Sequence, residues 1–225
     1  MNVYNCIEKT AINTQLPTYK VIDVLKNYKK FENMISSLSI DITPLLDENG
    51  WLTSDIINTF FELIETKDIS YLNSFWLYSS RPHKNKNLNK QTGLVLVPVN
   101  RNSKYQQSAD RNHWSLIAID FKNKSILYFD SYPNSNGSFF LDKVYNIIND
   151  YNQEIDLTWE LIDASSKTPK QTDVNSCGVF VLAITIEIIA NINNLENIKF
   201  KTNQSMIRQL RLRFADKILQ YIKKA

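Results

Sequence analysis

The sequence predicts one domain in which a central β-sheet is flanked by helices, and three observations support this prediction. Short runs of β-branched and aromatic residues, bounded by Asn, Lys, Pro and Ser, are concentrated between positions 94 and 162. Segments with apolar residues at helical spacing lie before, between and after these runs. The chain has 225 residues, 43% of them hydrophobic, and no Pro-rich or Ser-rich linker divides it. We therefore expect a single core.

Three helices are predicted before the sheet, at positions 19–38, 53–64 and 71–78. The first has a lysine-bearing outer face and is expected to lie at the periphery. The second begins beside Trp51 with the N-cap hydroxyls of Thr53 and Ser54, and its apolar residues repeat every three or four positions on one face. The third is short and rich in aromatic residues. The polar stretch 81–91 that follows it predicts an exposed loop.

The sheet itself is predicted from four runs, at positions 94–99, 114–121, 125–130 and 157–162. A helix over 139–151 is expected between the last two runs. The run 179–192 is apolar on nearly every side and therefore predicts a buried helix. An amphipathic helix over 205–223 is predicted to end the chain. Its basic residues are expected to point mostly outward: Arg208, Arg211, Lys217 and Lys224.

Composition and charge exclude several classes of protein. The net charge of +3, from 26 Lys and Arg against 23 Asp and Glu, does not predict a nucleic-acid groove. Four glycines cannot form a dinucleotide-binding or P-loop signature at the required spacing, so nucleotide-dependent enzymes of those classes are excluded. Two cysteines and two histidines are too few for a structural zinc site. We expect no metal and no cofactor.

The sequence also predicts a reducing compartment. It has no apolar stretch of the roughly 20 residues that a membrane span needs, and its N-terminus lacks the apolar core of a secretory signal peptide. We therefore expect a cytoplasmic or nuclear protein, or one in the cytosol of a host cell if it is a secreted effector. The two cysteines, Cys6 and Cys177, are then expected to be free thiols.

Cys177 is the first candidate for chemistry, because it lies where the polar loop 167–176 meets the predicted buried helix. The first turn of a helix presents unpaired N–H groups and a partial positive charge, which favour the thiolate over the thiol. The thiolate is the form that attacks carbonyl carbon atoms. The alternative for an isolated cysteine is that of a small buried hydrophobic residue.

His113 and Asp130 are candidates for the other groups of a thiol protease. His113 opens one predicted strand and Asp130 closes the next, so an antiparallel pairing would place both at the same end of the sheet. Asp120 lies seven residues from His113 on one strand, about 23 Å away and too far to contact the ring. Gln171, six residues before Cys177, has a side-chain amide that could donate to an oxyanion. The alternatives are an ordinary strand-end histidine and a polar loop residue.

Four segments of the sequence resemble the Ulp/SENP cysteine proteases, and they follow the same order along the chain. They are Trp-Leu-Thr-Ser-Asp-Ile-Ile-Asn at 51–58, Asn-His-Trp at 112–114, Tyr-Phe-Asp-Ser at 128–131, and Gln-Thr-Asp-Val-Asn-Ser-Cys-Gly-Val-Phe-Val at 171–181. The resemblance implies a papain-like α+β fold, with a central mixed sheet flanked by helices, over residues 51–225. Residues 1–50 are then an N-terminal extension, partly helical and packed on the catalytic domain.

The resemblance also implies roles for the four candidate residues. Cys177 is the nucleophile, His113 the general base, Asp130 the group that orients the imidazole, and Gln171 a donor in the oxyanion hole. Cys6 lies in the extension and is expected to have no role.

By the same resemblance, Trp51 and Trp114 roof a narrow channel for the Gly-Gly tail of ubiquitin or a ubiquitin-like modifier. Glycines lack Cβ atoms and pass between flat rings where larger residues would clash. Core packing is the alternative for each tryptophan. Ser54 stands where the family has an acidic residue that contacts a basic residue of the modifier. Together with the polar loops 81–91 and 101–112, which could supply other contacts, this substitution favours ubiquitin over SUMO or NEDD8.

The sequence therefore predicts a monomeric isopeptidase or endopeptidase that removes ubiquitin or a ubiquitin-like protein from lysine side chains. Three alternatives remain open: an acetyltransferase of the YopJ type from the same clan, a viral-type maturation protease, and a catalytically silent module that binds modifiers. The acetyltransferases usually have Glu at the position of Asp130 and lack the paired tryptophans. A silent module has no need for all four candidate residues.

Overall fold

The computed structural model describes residues 40–79, 88, 93–101, 113–152 and 158–222. The strands are β1 (Ile69–Tyr71), β2 (Leu94–Asn100), β3 (Trp114–Asp120), β4 (Ser125–Phe129) and β5 (Glu160–Asp163). The α-helices are α1 (Thr43–Leu46), α2 (Ser54–Ile64), α3 (Ser138–Asn152), α4 (Cys177–Ala190) and α5 (Ile207–Ile222). The predicted helix over 19–38 lies outside the described residues. Within the described ranges, no helix is both long enough and apolar enough to span a membrane.

The strands form one mixed sheet in the order β1-β2-β3-β4-β5. The three central strands are antiparallel to one another, whereas β1 runs parallel to β2 and β5 runs parallel to β4. The strand predictions at 94–99, 114–121 and 125–130 are confirmed to within a residue, and the run at 157–162 overlaps β5. Because both faces of the sheet are covered, the central strands are apolar on both sides and do not alternate with polar residues.

Helices cover the two faces of the sheet unequally. On one face, α2, α4 and α5 pack with side chains such as Leu96, Leu116 and Phe129 in the larger core. On the other face, α3 packs with alternate residues of the same strands, among them Val97 and Ile117. Since α4 lies within the larger core, most of its residues are buried, as its sequence predicted. Its N-terminus is Cys177, at one end of the sheet.

One secondary-structure prediction was wrong, and one prediction of exposure was wrong at Leu88. The segment 71–78 is not one helix: Ile69–Tyr71 pairs with β2, and only Trp76–Tyr78 forms a single 3₁₀ turn. Pairing with β2 satisfies the backbone of this aromatic segment, and helical periodicity in so short a stretch does not compete with it. The stretch 81–91 was predicted to be exposed, but Leu88, its one described residue, is buried in the core that contacts α3. The rest of that stretch lies outside the described residues.

Arg211 was predicted to point outward, and that prediction was also wrong. Its side chain is buried inside the fold, where Nη1 donates to the carbonyl oxygen of Pro44 at 2.9 Å and Nη2 to that of Asn175 at 3.3 Å. The helical pattern of α5 could not reveal these partners, because they lie more than 30 residues away in sequence. Arg211 therefore ties α5 both to α1 and to the loop that precedes Cys177.

Candidate active site

The antiparallel pairing of β3 and β4 brings His113 and Asp130 together, as predicted. His113 immediately precedes β3 and Asp130 immediately follows β4, and the ring Nε2 lies 2.7 Å from Oδ1 of the carboxylate. Asp120 lies at the other end of β3. Its carboxylate accepts hydrogen bonds from the backbone N–H groups of Lys122 and Asn123, so it closes the hairpin between the two strands.

Asp130 is fully buried, and each of its oxygens is held by two donors. Oδ1 accepts from His113 and from the backbone N–H of Tyr132 at 2.8 Å, while Oδ2 lies 2.8 Å from the hydroxyl of Tyr128 and 3.1 Å from Nη2 of Arg101. Burial raises the pKa of Asp130, but His113, the Tyr132 N–H and the Arg101 charge outweigh burial, and the pKa is lowered. The group is therefore a carboxylate at neutral pH.

Two neighbours, Asp130 and Cys177, raise the pKa of His113. Burial lowers the pKa of its ring, but hydrogen bonds to Asp130 and Cys177, together with the negative charges of both groups, outweigh burial and raise the pKa to about 9. Because Nε2 faces Asp130, the nitrogen left for the Cys177 sulfur is Nδ1. The ring of Tyr132 packs edge-on against the imidazole, with centroids 5.5 Å apart. The imidazole is thus held between a thiol and a carboxylate.

Cys177 is the first residue of α4, so the predicted helix begins there and not at Val179. The side chain is 1% exposed. The N-cap residue, Ser176, does not cap the helix with its side chain. The first N–H groups of α4 and the helix dipole are therefore close to the sulfur, an arrangement that stabilises negative charge on it.

Gln171 is buried, and its amide has a defined orientation. Oε1 accepts from the Ser131 hydroxyl at 2.7 Å, and Nε2 donates to the carbonyl oxygen of Asp173 at 2.8 Å. An amide nitrogen carries two hydrogens, and the described residues supply no acceptor for the second. The backbone N–H of Gln171 also donates to Ser131, at 2.9 Å. These bonds hold Gln171 beside the end of β4, next to Asp130.

Asp173 organises the loop before the nucleophile. Its Oδ1 accepts from the backbone N–H groups of Asn175 and Ser176 at 3.2 and 2.9 Å, and its Oδ2 accepts from the Ser176 hydroxyl and from Gln204 Nε2 at 2.7 and 2.6 Å. Sequence reasoning missed this residue. The available signal was an Asp placed two and three residues before the N–H groups that it binds, which is typical of an Asx turn.

The two tryptophans differ in exposure. Trp114 is 1% exposed and lies in the larger core, where its indole N–H donates to the carbonyl oxygen of Leu52 at 2.9 Å. Trp51 is half-buried. A Cβ at Gly178 would lie 2.8 Å from Cβ of Leu52, so the glycine allows α4 to approach this segment closely. Trp114 and Gly178 thus both pack against Leu52, the neighbour of Trp51.

The predicted N-cap of α2 is confirmed, although the capping residue is Thr53. Its hydroxyl accepts from the N–H of Ile56 at 3.4 Å, and Ser54 is the first helical residue. Asp55, in the first turn, is exposed to solvent. Ser54 stands at the acidic position of the Ulp/SENP pattern, and Asp55 places a carboxylate one residue later.

Two more residues of the site were missed, Arg101 and Tyr128. Both contact Oδ2 of Asp130. For Tyr128 a signal existed, since it lies two residues before Asp130 in the quoted Tyr-Phe-Asp-Ser segment. For Arg101 there was none, because its contact depends on how β2, β3 and β4 are arranged side by side.

The fold and this arrangement of thiol, imidazole and carboxylate define a class of protein: a cysteine protease of the papain-like α+β type. A model of the C-terminal catalytic domain of the Ulp1 protease family matches residues 77–224. The chain belongs to that family.

Individual proteins agree with this assignment. Human Sentrin-specific protease 5 is 27% identical over 193 residues, an alignment that covers 77% of this chain and 24% of that protein. The chain therefore spans about a quarter of the length of the curated relatives that it matches.

Solved structures agree with the predicted fold class. The C-terminal Ulp1 protease domain, solved in complex with Smt3, the yeast ortholog of SUMO, has a TM-score of 0.62 and 22% identity, covering 80% of this chain and 81% of that chain. The SUMO protease Ulp1 with its catalytic cysteine oxidised to a sulfenic acid has a TM-score of 0.64 and 24% identity, covering 87% and 94%. The papain-like α+β prediction is confirmed.

Proposed function

We propose that this chain is a thiol protease that cuts the bond after the C-terminal glycine of a SUMO-like modifier. One observation carries the proposal: the ring of His113 bridges Cys177, at the N-terminus of α4, and the buried carboxylate of Asp130. A thiol protease needs these three groups in this order.

The proposed reaction begins with the Cys177 thiolate and the protonated His113. The sulfur attacks the carbonyl carbon of the terminal glycine, and the negative charge that develops on its oxygen is stabilised by the backbone N–H of Cys177 and the second Nε2 hydrogen of Gln171. The C–N bond breaks as His113 gives its proton to the departing lysine amine. Water, deprotonated by His113, then hydrolyses the thioester and releases the modifier with a free carboxylate.

Access to the nucleophile supports a slender substrate. The Cys177 side chain is 1% exposed, so a chain that reaches it must pass through a narrow opening. Two glycines present no side chains to clash there. We assign the exposed part of Trp51 to the wall of this channel, with Trp114 beneath it holding Leu52 in place. Trp114 then acts through its contact with Leu52 as well as through its own ring.

The modifier we propose is a SUMO-like protein, in place of the ubiquitin that the sequence analysis favoured. That preference depended on Ser54 and on the loss of a carboxylate. The exposed Asp55 supplies a carboxylate in the same first turn of α2. The related proteins also support the change, because they are named as Sentrin-specific and SUMO proteases. We propose that Asp55 pairs with a basic residue of the modifier.

The test compares kcat/KM on fluorogenic SUMO, ubiquitin and NEDD8 substrates. We expect a preference of about tenfold or more for SUMO, and we expect Asp55→Asn to raise KM on SUMO with little change in kcat. Asp150→Asn, an exposed acid on α3, is the matched control and should leave KM unchanged. A tenfold preference for ubiquitin or NEDD8 would refute the proposed modifier but not the protease chemistry.

A further inference from the structure

We propose that Arg101 is a positioning residue that holds His113 and Asp130 together and sets how strongly the imidazole of His113 retains its proton. The inference rests on the proposed function, since it concerns the same site. Arg101 directly follows β2, next to the start of β3. Its backbone N–H donates to the carbonyl oxygen of His113 at 2.8 Å, and its Nη2 lies 3.1 Å from Oδ2 of Asp130. One residue therefore contacts the proposed base through its main chain and the carboxylate through its side chain.

The guanidinium is held firmly in this position. Nη2 also donates to the Tyr128 hydroxyl at 2.5 Å and to the carbonyl oxygen of Asn136 at 3.4 Å. The group lies over the rings of Tyr128 and Phe140, 5.8 and 5.5 Å from their centroids, and these two rings stack on each other. Its side chain is 26% exposed. Contacts with the two rings and with the hydrogen-bond acceptors restrict the rotamers of Arg101, so its charge stays at one place relative to Asp130.

The position of the charge matters because Asp130 lies between two cationic groups. His113 binds Oδ1 and Arg101 binds Oδ2, and among the described residues these are the two basic side chains that contact the carboxylate. Arg101 offsets part of the negative charge that Asp130 presents to the imidazole. It therefore weakens the preference of His113 for its protonated form.

Other charged groups act on the site through different contacts. Lys170 Nζ binds the main-chain oxygens of Asp130 and Tyr132, at 3.0 and 3.2 Å, and its charge also interacts with that of Asp130. Tyr128 donates its hydroxyl to Oδ2, and burial and the charge of Asp130 raise its pKa, so it stays neutral. Asp163, the last residue of β5, interacts electrostatically with Asp130 and adds negative charge near it. Removing the Arg101 charge should therefore stabilise the imidazolium.

The experiment measures the pH dependence of Cys177 alkylation by iodoacetamide, which requires no modifier. A Cys6→Ser background leaves Cys177 as the single thiol, since the sequence has two cysteines. Arg101→Gln and Arg101→Met both remove the charge, and Met keeps the stem that packs on the two rings. Arg101→Lys keeps the charge. Arg213→Gln, an exposed site on α5, is the control.

We expect the limb of the alkylation profile that follows deprotonation of His113 to move to higher pH in the Gln and Met variants, by at least about half a pH unit. The Lys variant and the control should keep the wild-type limbs, although the Lys variant should process a SUMO substrate several-fold more slowly, because it lacks the fork of donors. Thermal melting confirms that each variant is folded at the temperature used.

Two results would overturn the proposal. The first is a profile in the Gln or Met variant with wild-type limbs and a uniformly lower rate, as a merely structural role predicts. The second is a shift of the limbs in the Lys variant, which keeps the charge and remains informative if the uncharged variants do not fold. If wild type shows the expected alkylation profile but cleaves no modifier, the proposed function fails and the role of Arg101 in charge tuning stands.

Discussion

The thiol of Cys177 is the group on which the proposed chemistry depends most directly. Cys177→Ala removes one buried sulfur from the start of α4, so we expect no cleavage of any modifier substrate while the protein still folds and binds it. The measurement is turnover alongside a thermal melt and a binding titration. Cys6→Ser, at the other cysteine, is the control and should keep wild-type turnover. Cleavage above background by Cys177→Ala would refute the mechanism.

The raised pKa of His113 predicts the alkaline limit of activity. Its pKa lies at about 9, above the usual value of 6.5, because Asp130 and Cys177 favour the protonated ring. Activity should therefore persist through neutral pH and fall as pH rises through about 9, when the proton for the departing amine is lost. A pH profile of kcat/KM measures this limit. An alkaline limb near pH 7 would show that the ring is not held as an imidazolium.

The same shift predicts how stability depends on pH. A group whose pKa is raised on folding stabilises the native state fully below its unfolded pKa, and this contribution is lost as pH rises through the folded value. The ion pair of His113 and Asp130 should thus stabilise the fold fully below about pH 6.5 and cease to do so above about pH 9. Asp130→Asn should remove most of this dependence, because it removes the main partner of the ring. Comparing denaturant unfolding of both proteins across this range measures the difference.

Gln171 illustrates what residue types can and cannot tell. Its type and its distance from Cys177 in sequence suggested an oxyanion donor, and the structure shows an amide whose orientation is set by Ser131 and Asp173. Neither partner was predicted, since one lies 40 residues away and the other is a backbone carbonyl. The catalytic role itself stays a prediction.

At the scale of elements, the loop before α4 depends on Asp173. Four hydrogen bonds converge on its carboxylate, two of them from the backbone of the loop. We expect Asp173→Ala to lower the free energy of unfolding by about 1 to 3 kcal/mol and to reduce kcat by misplacing the first N–H groups of α4. Denaturant unfolding and kcat measure the two effects, and Asp142→Ala, exposed on α3, is the control. Unchanged kcat in the folded variant would show that the loop does not need this carboxylate.

Helices α2 and α4 show how far periodicity carries. Helix α2 was predicted from apolar residues spaced three or four positions apart, whereas α4 was predicted from a run that is apolar on nearly every side, as a fully buried helix requires. Segment 71–78 shows where apolar periodicity does not distinguish a helix from a strand. An aromatic segment of that length suits a helix or a strand equally, and pairing with β2 decides which one forms.

At the scale of the whole molecule, the larger core extends N-terminal to residue 51. Ile42, Leu45 and Leu46 are at most 1% exposed and pack in the same core as α4 and α5. Where the catalytic domain begins stays a prediction. We expect Leu46→Ala to destabilise the protein by about 2 to 5 kcal/mol, through the lost burial and the cavity left behind. Denaturant unfolding measures the loss.

Leu161→Ala is the matched control for that measurement. Leu161 lies on β5 and is 37% exposed, so the same truncation leaves no closed cavity and should cost clearly less. Equal losses for the two variants would show that α1 is not an integral part of the core.

Residue types and spacing alone predict four of the five strands, most of the helices that flank them and the four residues of the candidate site. These features are local: apolar periodicity reports burial, and a Cys at the start of an apolar helix reports a thiol at a helix N-terminus. The sequence also predicts that His113 and Asp130 lie at the same end of the sheet, because two consecutive strands joined by a short turn pair antiparallel.

Folding alone placed Arg101 on Oδ2 of Asp130, buried Arg211 between α1 and the Asp173 loop, and fastened Trp114 to Leu52. These contacts join residues that are 29 to 167 positions apart, and no local pattern encodes them. A charged or amphipathic side chain satisfies its donors wherever the assembled fold offers acceptors. Its partners are therefore decided by packing geometry and not by its place in the sequence.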